Sequence, residues 1–472
     1  MNIAMILEMA AAAGSKPVVT EGGRSLTAGE LLGHARAAAE RFRGYPAVLY
    51  LGANHLAYPV ALFGAALAGV PFVPLNYRLG EAQLSALRER HPGALVVENP
   101  GELLETQAPQ GEVPEWVADA VAVLIYTSGT TSEPKAAVLR HRHLLAYVLN
   151  TLEFASAAEE DAALVAAPPY HIAGLTNLLS NLYTGRRVVY LPAFDAAGWL
   201  GTVRREGVTN AMVVPTMLAR IVAAIGEGTA SVPTLRTLSY GGARTPRRVL
   251  ERALEVFPDT GFVNAYGLTE TASTVAVLGP EDHRAAFASA DPVVRDRLGS
   301  VGRPLPGIEI EIRAEDGGRV GAGETGLVFV RGEQISGEYG GRSSLDDGGW
   351  FATRDLGRVD DAGYLYIEGR ADDTIIRGGE NIAPAEIEDV LLAHPRLTEA
   401  AVLGLPDAEW GQRLVAVVVG EGDPEEIRAW VRSRLRSSKT PDAVVFRDEL
   451  PKTETGKLLR RVLLADLTGA PA

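Results

Sequence analysis

The sequence contains no cysteine. Without thiols the chain can form no disulfide bond, no cysteine nucleophile and no cysteine-ligated zinc site. Such a chain suits a reducing compartment, and we expect the protein to act in the cytoplasm.

Long apolar runs are also missing. The longest stretch without Lys, Arg, Asp or Glu covers residues 44–77, and polar residues and prolines interrupt it. These residues disfavour a membrane-spanning helix, so we expect a strand at 47–51, a helix at about 56–68 and a strand at 71–74. The apolar N-terminus, residues 1–14, lacks a positively charged start, which argues against a signal peptide. We expect no integral membrane segment.

Positive charge is scarce. Lys and Arg number 45 against 59 Asp and Glu, which gives a formal charge of −14. Binding to a phosphate backbone requires a concentrated basic surface, so we expect no nucleic-acid partner. An acidic enzyme can still bind a nucleotide, because a few local donors and a bound metal ion set the field at a site.

The chain, 472 residues of which 47% are hydrophobic, is long enough for several domains, and it contains no repeat of 20–50 residues. Its first two-thirds alternates short β-branched runs with amphipathic helical patterns. Strands are predicted at 120–126, 162–166, 187–191, 211–214 and 237–240, with helices such as 144–154 and 247–256 between them. This alternation predicts a multi-layer α/β fold, with helices on the faces of layered sheets.

The pattern changes twice in the last third. Gly-punctuated strands at 308–312, 326–331 and 364–368 predict an antiparallel, barrel-like region at about 307–370. Beyond it, helices at 384–393 and 424–435 and strands at 400–405 and 414–419 predict a small α+β domain. We therefore expect a large N-terminal domain, 1–370, and a small, mobile C-terminal domain, 371–472, connected by a short charged joint that permits a hinge.

The most informative motif is the segment 126–135, Tyr-Thr-Ser-Gly-Thr-Thr-Ser-Glu-Pro-Lys. It holds five Ser or Thr hydroxyls, one glycine and a terminal lysine, and it follows a predicted strand. Hydroxyls and free backbone N–H groups can surround phosphate oxygens, and a lysine adds a mobile positive charge. The segment lacks the Gly-x4-Gly-Lys pattern of a P-loop. A polar surface turn is the alternative interpretation, and composition alone favours neither.

Four further segments carry chemistry-bearing residues. Residues 264–270, Asn-Ala-Tyr-Gly-Leu-Thr-Glu, place a hydroxyl beside a carboxylate after the short apolar run 261–263, a combination that suits a phosphate contact and a Mg²⁺ ligand. Asp355 precedes a predicted strand, where a carboxylate could accept ribose hydroxyls. The others are the sequences around Gly378-Gly379-Glu380 and the C-terminal Pro-Lys-Thr-Glu-Thr-Gly-Lys that ends at Lys457.

Each of these segments also has a structural interpretation. Glu270 could be a charge at a helix start and Asp355 a cap or turn residue. Gly378 and Gly379 could form a plain turn, and Lys457 could lie in a solvated tail.

In this order and spacing, the motifs resemble the adenylate-forming superfamily, which includes acyl-CoA synthetases, peptide-synthetase adenylation domains and luciferases. The resemblance runs from Val70–Arg78 to Lys457. It implies an AMP-forming carboxylate–CoA ligase that uses ATP, Mg²⁺ and CoA, joins an organic acid to AMP and then transfers the acyl group to the thiol. A homodimer is compatible with the sequence.

The resemblance assigns roles to individual residues. The triphosphate contacts would come from Thr127, Ser128, Gly129, Thr130, Thr131 and Lys135. The nucleotide pocket would include Gly241, Gly242, Ala243, Asn264, Ala265, Tyr266 and Gly267, with Tyr266 stacked on adenine. Asp355 and Arg370 would bind the ribose.

The remaining implied roles concern catalysis. Thr269 would hold the α-phosphate and Glu270 would bind Mg²⁺. Lys457 would bridge the substrate carboxylate and the α-phosphate, which suits a reaction between two anions. Asp372 matches the family's hinge, about which the small domain rotates to replace Lys457 with the thiolation loop Gly378, Gly379 and Glu380.

Three residues depart from the family pattern. Ser132 and Ala136 stand where glycine is commoner, and Ser132 is a familiar variant. Arg354 stands beside the ribose aspartate where many relatives have glycine. It either braces a phosphate or extends into solvent, and we expect solvent.

The acid is inferred from the segment 168–175, which contains no carboxylate. A buried substrate ammonium would have no partner there, so we do not expect an amino acid. Small residues, Ala173, Gly174, Gly241, Gly242, Ala243 and Ala265, favour a roomy apolar pocket for a fatty, aromatic or alicyclic acid, although small residues also serve close packing. His171 resembles the aromatic residue at the pocket mouth of related ligases, or is a core histidine.

The thiol is inferred from the small domain. Residues 378–381 and 439–441 match the CoA-ligase pattern, and only 15 residues follow Lys457. We expect free CoA as the acceptor, with a separate carrier protein as the alternative. Two other possibilities are a silent AMP-binding protein and an enzyme that performs only one half-reaction, and the presence of motifs for both halves argues against each.

Overall fold

The computed structural model describes residues 1–108, 119–127, 135–453 and 456–469. The helices are α1 Ala4–Ala13, α2 Ala28–Phe42, α3 Ala57–Ala68, α4 Glu81–Glu89, α5 His141–Thr151, α6 Ile172–Thr184, α7 Ala196–Arg205, α8 Pro215–Ile225, α9 Arg247–Val256, α10 Pro280–Ala288, α11 Pro292–Asp296, α12 Pro384–Leu392, α13 Pro424–Arg432 and α14 Arg460–Thr468. The strands are β1 Pro17–Glu21, β2 Arg24–Thr27, β3 Val48–Tyr50, β4 Phe72–Pro74, β5 Leu95–Val97, β6 Val121–Thr127, β7 Lys135–Arg140, β8 Ala162–Val165, β9 Arg187–Tyr190, β10 Asn210–Val213, β11 Thr237–Gly241, β12 Gly261–Leu268, β13 Ser273–Leu278, β14 Arg303–Pro304, β15 Glu309–Arg313, β16 Gly326–Arg331, β17 Glu338–Tyr339, β18 Arg342–Ser343, β19 Phe351–Val359, β20 Leu365–Arg370, β21 Ile375–Arg377, β22 Glu380–Ile382, β23 Leu397–Asp407, β24 Gly411–Gly420 and β25 Ala443–Phe446.

Two large mixed sheets form most of the N-terminal part. The nine-stranded sheet has the order β14-β13-β12-β11-β10-β8-β9-β1-β2, and its strands from β12 to β1 run parallel. The seven-stranded sheet has the order β18-β17-β7-β6-β4-β3-β5. All four residues of β8 are buried, as expected for a parallel strand with both faces covered. The predicted layered α/β fold is confirmed.

The region after residue 307 differs from the prediction in one respect. Its strands pair antiparallel, as expected, in the order β15-β16-β19-β20. Within the described residues, the edge strands β15 and β20 do not pair with each other, so the region is an open sheet and not a barrel. Four strands are too few to close around a packed interior, which small barrels achieve with about eight.

The C-terminal part has its own apolar core. Strands β23, β24 and β25 form a three-stranded sheet, and β21 and β22 form a hairpin. Helix α12 packs on this sheet through Ile387 and Leu391, both fully buried. A large N-terminal domain and a smaller C-terminal one are therefore present, as predicted.

Two strands are longer than predicted, and both carry candidate site residues. Strand β12 continues through Tyr266 to Leu268 because it pairs with β13 along that length. Asp355 lies in the middle of β19 and not ahead of a strand. The hydrophobic pattern did not predict these extensions, because polar candidate site residues interrupt it. Within the described ranges, no helix combines the length and the apolar character needed to span a bilayer.

One glycine is required where the two antiparallel regions meet. Gly302 has φ +82° and pairs with Leu365, and a Cβ atom there would overlap the backbone of Val277. We predict that Gly302→Ala lowers the free energy of unfolding by about 2–4 kcal/mol, from left-handed strain plus overpacking. Urea denaturation measures the change.

The matched control is Gly317→Ala. Gly317 has a similar φ of +85°, but no atom lies within 4 Å of an added Cβ. Only the left-handed strain applies, so we expect a loss of about 1 kcal/mol. Equal losses for the two variants would contradict the assigned steric constraint at Gly302.

Candidate active site

The carboxyl ends of the parallel strands meet at one edge of the nine-stranded sheet. The chain leaves β8 towards His171, β11 towards Gly242 and β12 towards Thr269. Open α/β sheets bind ligands at this edge. The topology therefore brings together predicted site residues that are far apart in the sequence.

A buried carboxylate connects the large sheet to the antiparallel sheet. Asp355 is only 4% exposed. Its Oδ2 accepts a hydrogen bond of 2.5 Å from the Tyr266 hydroxyl, and its Oδ1 accepts one of 2.8 Å from Nη1 of Arg370. Arg370 also donates to the carbonyl of Thr353, at 3.0 Å. Burial, and then the charge of Asp355, raise the pKa of Tyr266 well above its ordinary value, so the hydroxyl remains a donor.

The Thr269–Glu270 pair lies in a 3₁₀ turn, Thr269–Thr271, at the end of β12. The Glu270 carbonyl accepts a hydrogen bond of 2.8 Å from the N–H of Ser336. The buried Gln334 side chain donates to the Thr271 carbonyl at 2.9 Å. The turn is therefore held by backbone and side-chain donors of the antiparallel region.

Backbone strain follows directly after this turn. Ala272 and Ser273 have φ of 51° and 118°, which side-chain-bearing residues rarely adopt. A Cβ atom at Gly267 would overlap the Ser273 carbonyl, so glycine is required there by close approach. Strain of about 1–3 kcal/mol per residue is typical of functional sites whose surroundings fix the geometry.

Glu270 experiences opposing electrostatic effects. Burial raises the pKa of its carboxyl, while a backbone hydrogen bond and the positive charges of Arg370 and Lys457 lower it. Asp355 raises it further. Lys457, almost 190 residues away in the sequence, is thus within electrostatic range of Glu270.

The Lys457 turn contacts the large N-terminal part. The Lys457 N–H donates to Oγ1 of Thr453 at 3.0 Å, and the Thr453 N–H donates to the Lys457 carbonyl at 2.8 Å. Gly456, with φ +78°, lies so close to Thr216 that a Cβ atom would be 2.6 Å from its Cγ2. The Lys457 side chain is exposed at this junction.

The hydroxyl-rich motif joins two paired strands. Thr127 ends β6 and Lys135 begins β7, and they are partners in the antiparallel register. Oγ1 of Thr127 donates to the Lys135 carbonyl at 3.3 Å. Ser128, Gly129, Thr130 and Thr131 lie outside the described residues.

The small residues of the expected pocket do not all serve one purpose. A Cβ atom at Gly241 would overlap the Ala265 carbonyl, and one at Gly174 would lie 2.6 Å from the Pro168 carbonyl. These two glycines permit close backbone packing. Gly242 differs, since a Cβ there would meet only Cγ1 of Val214, at 3.9 Å, although its φ of +85° favours glycine.

A cavity of about 210 Å³ lies at the same sheet edge. Its lining includes Pro168, Phe194, Thr216 and Met217. Because Thr216 also touches the Lys457 turn, the cavity adjoins the candidate site.

His171 precedes α6, and the centre of its ring lies 4.7 Å from the centre of the Tyr170 ring.

The Gly378-Gly379 pair forms the two-residue turn between β21 and β22. Both residues have positive φ, +57° and +82°, as a hairpin turn of this length requires. Glu380 forms an ion pair with Arg436. Among the described residues, no hydrogen bond or ion pair joins this turn to Asp355 or Glu270. The described residues therefore show no direct polar contact between the predicted thiolation residues and the region of Asp355 and Glu270.

Two arginines beside the site form ion pairs that the sequence did not indicate, and one of them, Arg354, was expected to extend into solvent. Arg354 has φ +63°, which explains why glycine is common at its position, and its side chain is 62% exposed. It is not free in solvent, because its Nη1 lies 3.4 Å from Oδ2 of Asp372. Arg244 pairs with Asp389 of α12. Neither pairing has a local sequence signal, since the partners are 18 and 145 residues apart.

The carboxylates near Glu270 limit which metal ion the candidate site could hold. Across the described residues, no group of three or more His, Asp or Glu side chains converges as a metal site. Mg²⁺ is usually held by one or two carboxylates, with substrate phosphates and water completing its shell. A single half-buried carboxylate beside a candidate phosphate site, Glu270, fits that donor set.

Comparisons with known proteins identify the family of the chain. The family model of AMP-binding enzymes matches residues 87–339, and that of their C-terminal domain matches residues 386–457. A feruloyl-CoA synthase from Amycolatopsis is 37% identical, over 94% of each chain. A fatty acid–[acyl-carrier-protein] ligase from Streptomyces coeruleorubidus is 33% identical, over 95% of this chain and 92% of that one.

Solved structures extend the similarity to three dimensions. The o-succinylbenzoate CoA synthetase of Bacillus subtilis, in complex with its acyl-adenylate intermediate, has a TM-score of 0.84 and 29% identity, and the match covers 98% of both chains. The two family matches and the relatives that align over nearly the whole chain show that this chain belongs to the family of AMP-binding enzymes.

Proposed function

We infer that this protein is an AMP-forming carboxylate–CoA ligase. In the first half-reaction a carboxylate oxygen attacks the α-phosphorus of ATP, and pyrophosphate leaves. In the second, the CoA thiol attacks the acyl carbon, loses its proton and releases AMP. The observation that carries the proposal is the convergence of Asp355, Arg370, Glu270 and Lys457 at one sheet edge.

The nucleotide site is built around Asp355. A carboxylate offers about four acceptor positions, and Tyr266 and Arg370 use two. The remaining capacity suits the two ribose hydroxyls. The Tyr266 ring, the segment Gly241–Ala243 and the end of β12, including Asn264 and Ala265, form the adenine pocket.

The phosphates extend towards two loops. Thr127 and Lys135 flank the hydroxyl-rich segment that binds the β- and γ-phosphates. We assign the α-phosphate to Thr269, whose turn is fixed at the end of β12. Glu270 holds Mg²⁺, which when bound would offset phosphate charge.

Lys457 lowers the electrostatic barrier between the two anions. Its ammonium neutralises charge on the substrate carboxylate and the α-phosphate as they approach. Its effect on the pKa of Glu270 supports this placement.

The second half-reaction requires another arrangement of the small domain. We place the domain boundary after Arg370, which is tied to Asp355, and the hinge at Asp372. Rotation there withdraws Lys457 and brings Gly378, Gly379 and Glu380 to the acyl-adenylate. The close approach of the Lys457 turn to Thr216 of the large domain supports assigning the present orientation to the first half-reaction.

The acid is a fatty, aromatic or alicyclic one, and cytoplasmic CoA is the acceptor. The segment 168–175 offers no carboxylate for an amino acid, and aromatic acids are named for two of the relatives. A carrier-protein thiol is the second candidate, because one relative is named as a ligase of that kind.

A direct assay separates these acceptors. The purified chain, ATP and Mg²⁺ are incubated with a panel of aromatic and fatty acids and either CoA or a phosphopantetheinylated carrier protein, and thioesters are identified by mass spectrometry. We expect acyl-CoA. Thioester on the carrier alone would favour the second candidate, and AMP formation without any thioester would contradict both.

We predict that Lys457→Ala slows acyl-AMP formation by about 100-fold or more, because a positioned charge is lost. The same variant, supplied with acyl-AMP and CoA, should retain thioester formation. Rapid-quench measurement of each half-reaction tests this.

Lys452→Ala serves as the control. Lys452 lies in the same segment but pairs with Glu399 at 2.5 Å, away from the nucleotide cluster. It should leave both rates nearly unchanged. Equal losses in both half-reactions of the folded Lys457 variant would disprove its assigned role.

A second prediction concerns Gly242. Gly242→Leu should exclude bulky acids by filling the open space beside Val214, with smaller losses for acetate or propionate. Gly242→Ala carries the same backbone strain without the bulk, so it should affect all acids alike. Values of kcat/KM for the acid panel, together with melting curves, separate the two effects. If Leu and Ala give the same substrate profile, Gly242 does not face the acid.

A further inference from the structure

An ion pair crosses between the large N-terminal and small C-terminal parts beside the site. Arg244 immediately follows the segment Gly241–Ala243, and its Nη2 donates to Oδ2 of Asp389 in α12. Both side chains are partly exposed, 49% and 44%. The pair therefore connects the end of β11 to the small domain.

Asp389 is rigidly attached to the small domain. Helix α12 is anchored by the fully buried Ile387 and Leu391. The preceding residue of the helix, Glu388, accepts a hydrogen bond of 2.6 Å from Nη2 of Arg460. Helix α12 therefore connects Asp389 to Arg460.

Arg460 continues the connection to the catalytic lysine. It lies three residues after Lys457 and also donates to the Val402 carbonyl, at 2.7 Å. The Lys457 turn is thus braced against the helix that carries Asp389. A continuous series of contacts runs from the pocket segment, through Arg244 and Asp389, to Lys457.

Two further polar contacts between described residues cross the joint, and both are exposed. Arg354 pairs with Asp372, and the Asn381 amide donates to Glu315, both at 3.4 Å. Exposed ion pairs contribute little free energy, because water replaces them readily. Such contacts suit an orientation that must be held and then released in every catalytic cycle.

We propose that Arg244 and Asp389 form a latch that holds the small domain in the orientation that presents Lys457 to the adenylation site. Both are positioning residues, and the latch rests on the proposed two-step function. It favours acyl-AMP formation and opposes the rotation that precedes thioester formation.

The test uses Arg244→Met, Asp389→Asn and the charge exchange Arg244→Asp with Asp389→Arg. Each single variant should slow acyl-AMP formation about two- to five-fold, the range expected for a partly exposed pair. Thioester formation from preformed acyl-AMP should be unchanged or faster. The charge exchange should restore the rate of acyl-AMP formation. A purely structural role for either side chain would not explain such a rescue.

Arg247→Met is the matched control. Arg247 pairs with Glu251, at 3.2 Å, and with Asp296, at 3.7 Å, and both partners lie in the large domain, so its loss breaks ion pairs that do not cross the joint. Neither half-reaction should change.

Domain orientation can be measured independently of chemistry. Because the chain has no cysteine, labels attached at Val293→Cys in the large domain and Glu421→Cys in the small domain report a single distance. With ATP and Mg²⁺, the latch variants should show a broader or shifted distance distribution than the parent, and the exchange should restore it.

The outcomes are distinct. Unchanged distances, equal effects on both half-reactions or failure of the exchange would overturn the latch. Absence of acyl-AMP from the parent with every acid would overturn the proposed function, while the distance comparison would still decide the latch.

Discussion

The buried Asp355–Arg370 pair constrains the site and the joint together. Taking a carboxylate out of water is costly unless a charge and hydrogen bonds compensate it, and Arg370 and Tyr266 supply both. Removing one partner of such a pair typically costs about 3–5 kcal/mol. Strand β12, strand β19 and the end of β20 are therefore fixed relative to one another, and the chain enters the 3₁₀ turn Ala371–Asp373, where we propose the hinge, directly after Arg370.

This arrangement explains how one chain can serve two half-reactions. The nucleotide site belongs to the rigid part, where strained residues at 272 and 273 indicate a geometry fixed by its surroundings. Lys457 belongs to the small domain, and its turn meets the large domain beside Thr216, while the ion pair of Arg244 and Asp389 crosses nearby. A strong, buried pair fixes the proposed ribose site, while weak, exposed pairs hold the orientation that we propose must change.

Much of the fold could be predicted from the sequence, because apolar strands such as 162–165 and amphipathic helices such as 247–256 carry their own periodicity. Prediction failed where functional residues interrupt that pattern, as in β12 and β19. It also could not distinguish the reasons for small residues, since Gly174 and Gly241 serve backbone packing while Gly242 borders open space. The pairings of Arg354 and Arg244 depend on tertiary structure, and no local pattern could indicate them.

The account depends most on an acyl-adenylate that forms before any thiol is involved. Pyrophosphate–ATP exchange measures this step alone, through incorporation of labelled pyrophosphate into ATP. With a suitable acid and Mg²⁺, but with neither CoA nor carrier protein, we expect exchange that depends on the acid. Thioester formation in the complete assay, with no exchange until a thiol is added, would contradict the two-step account.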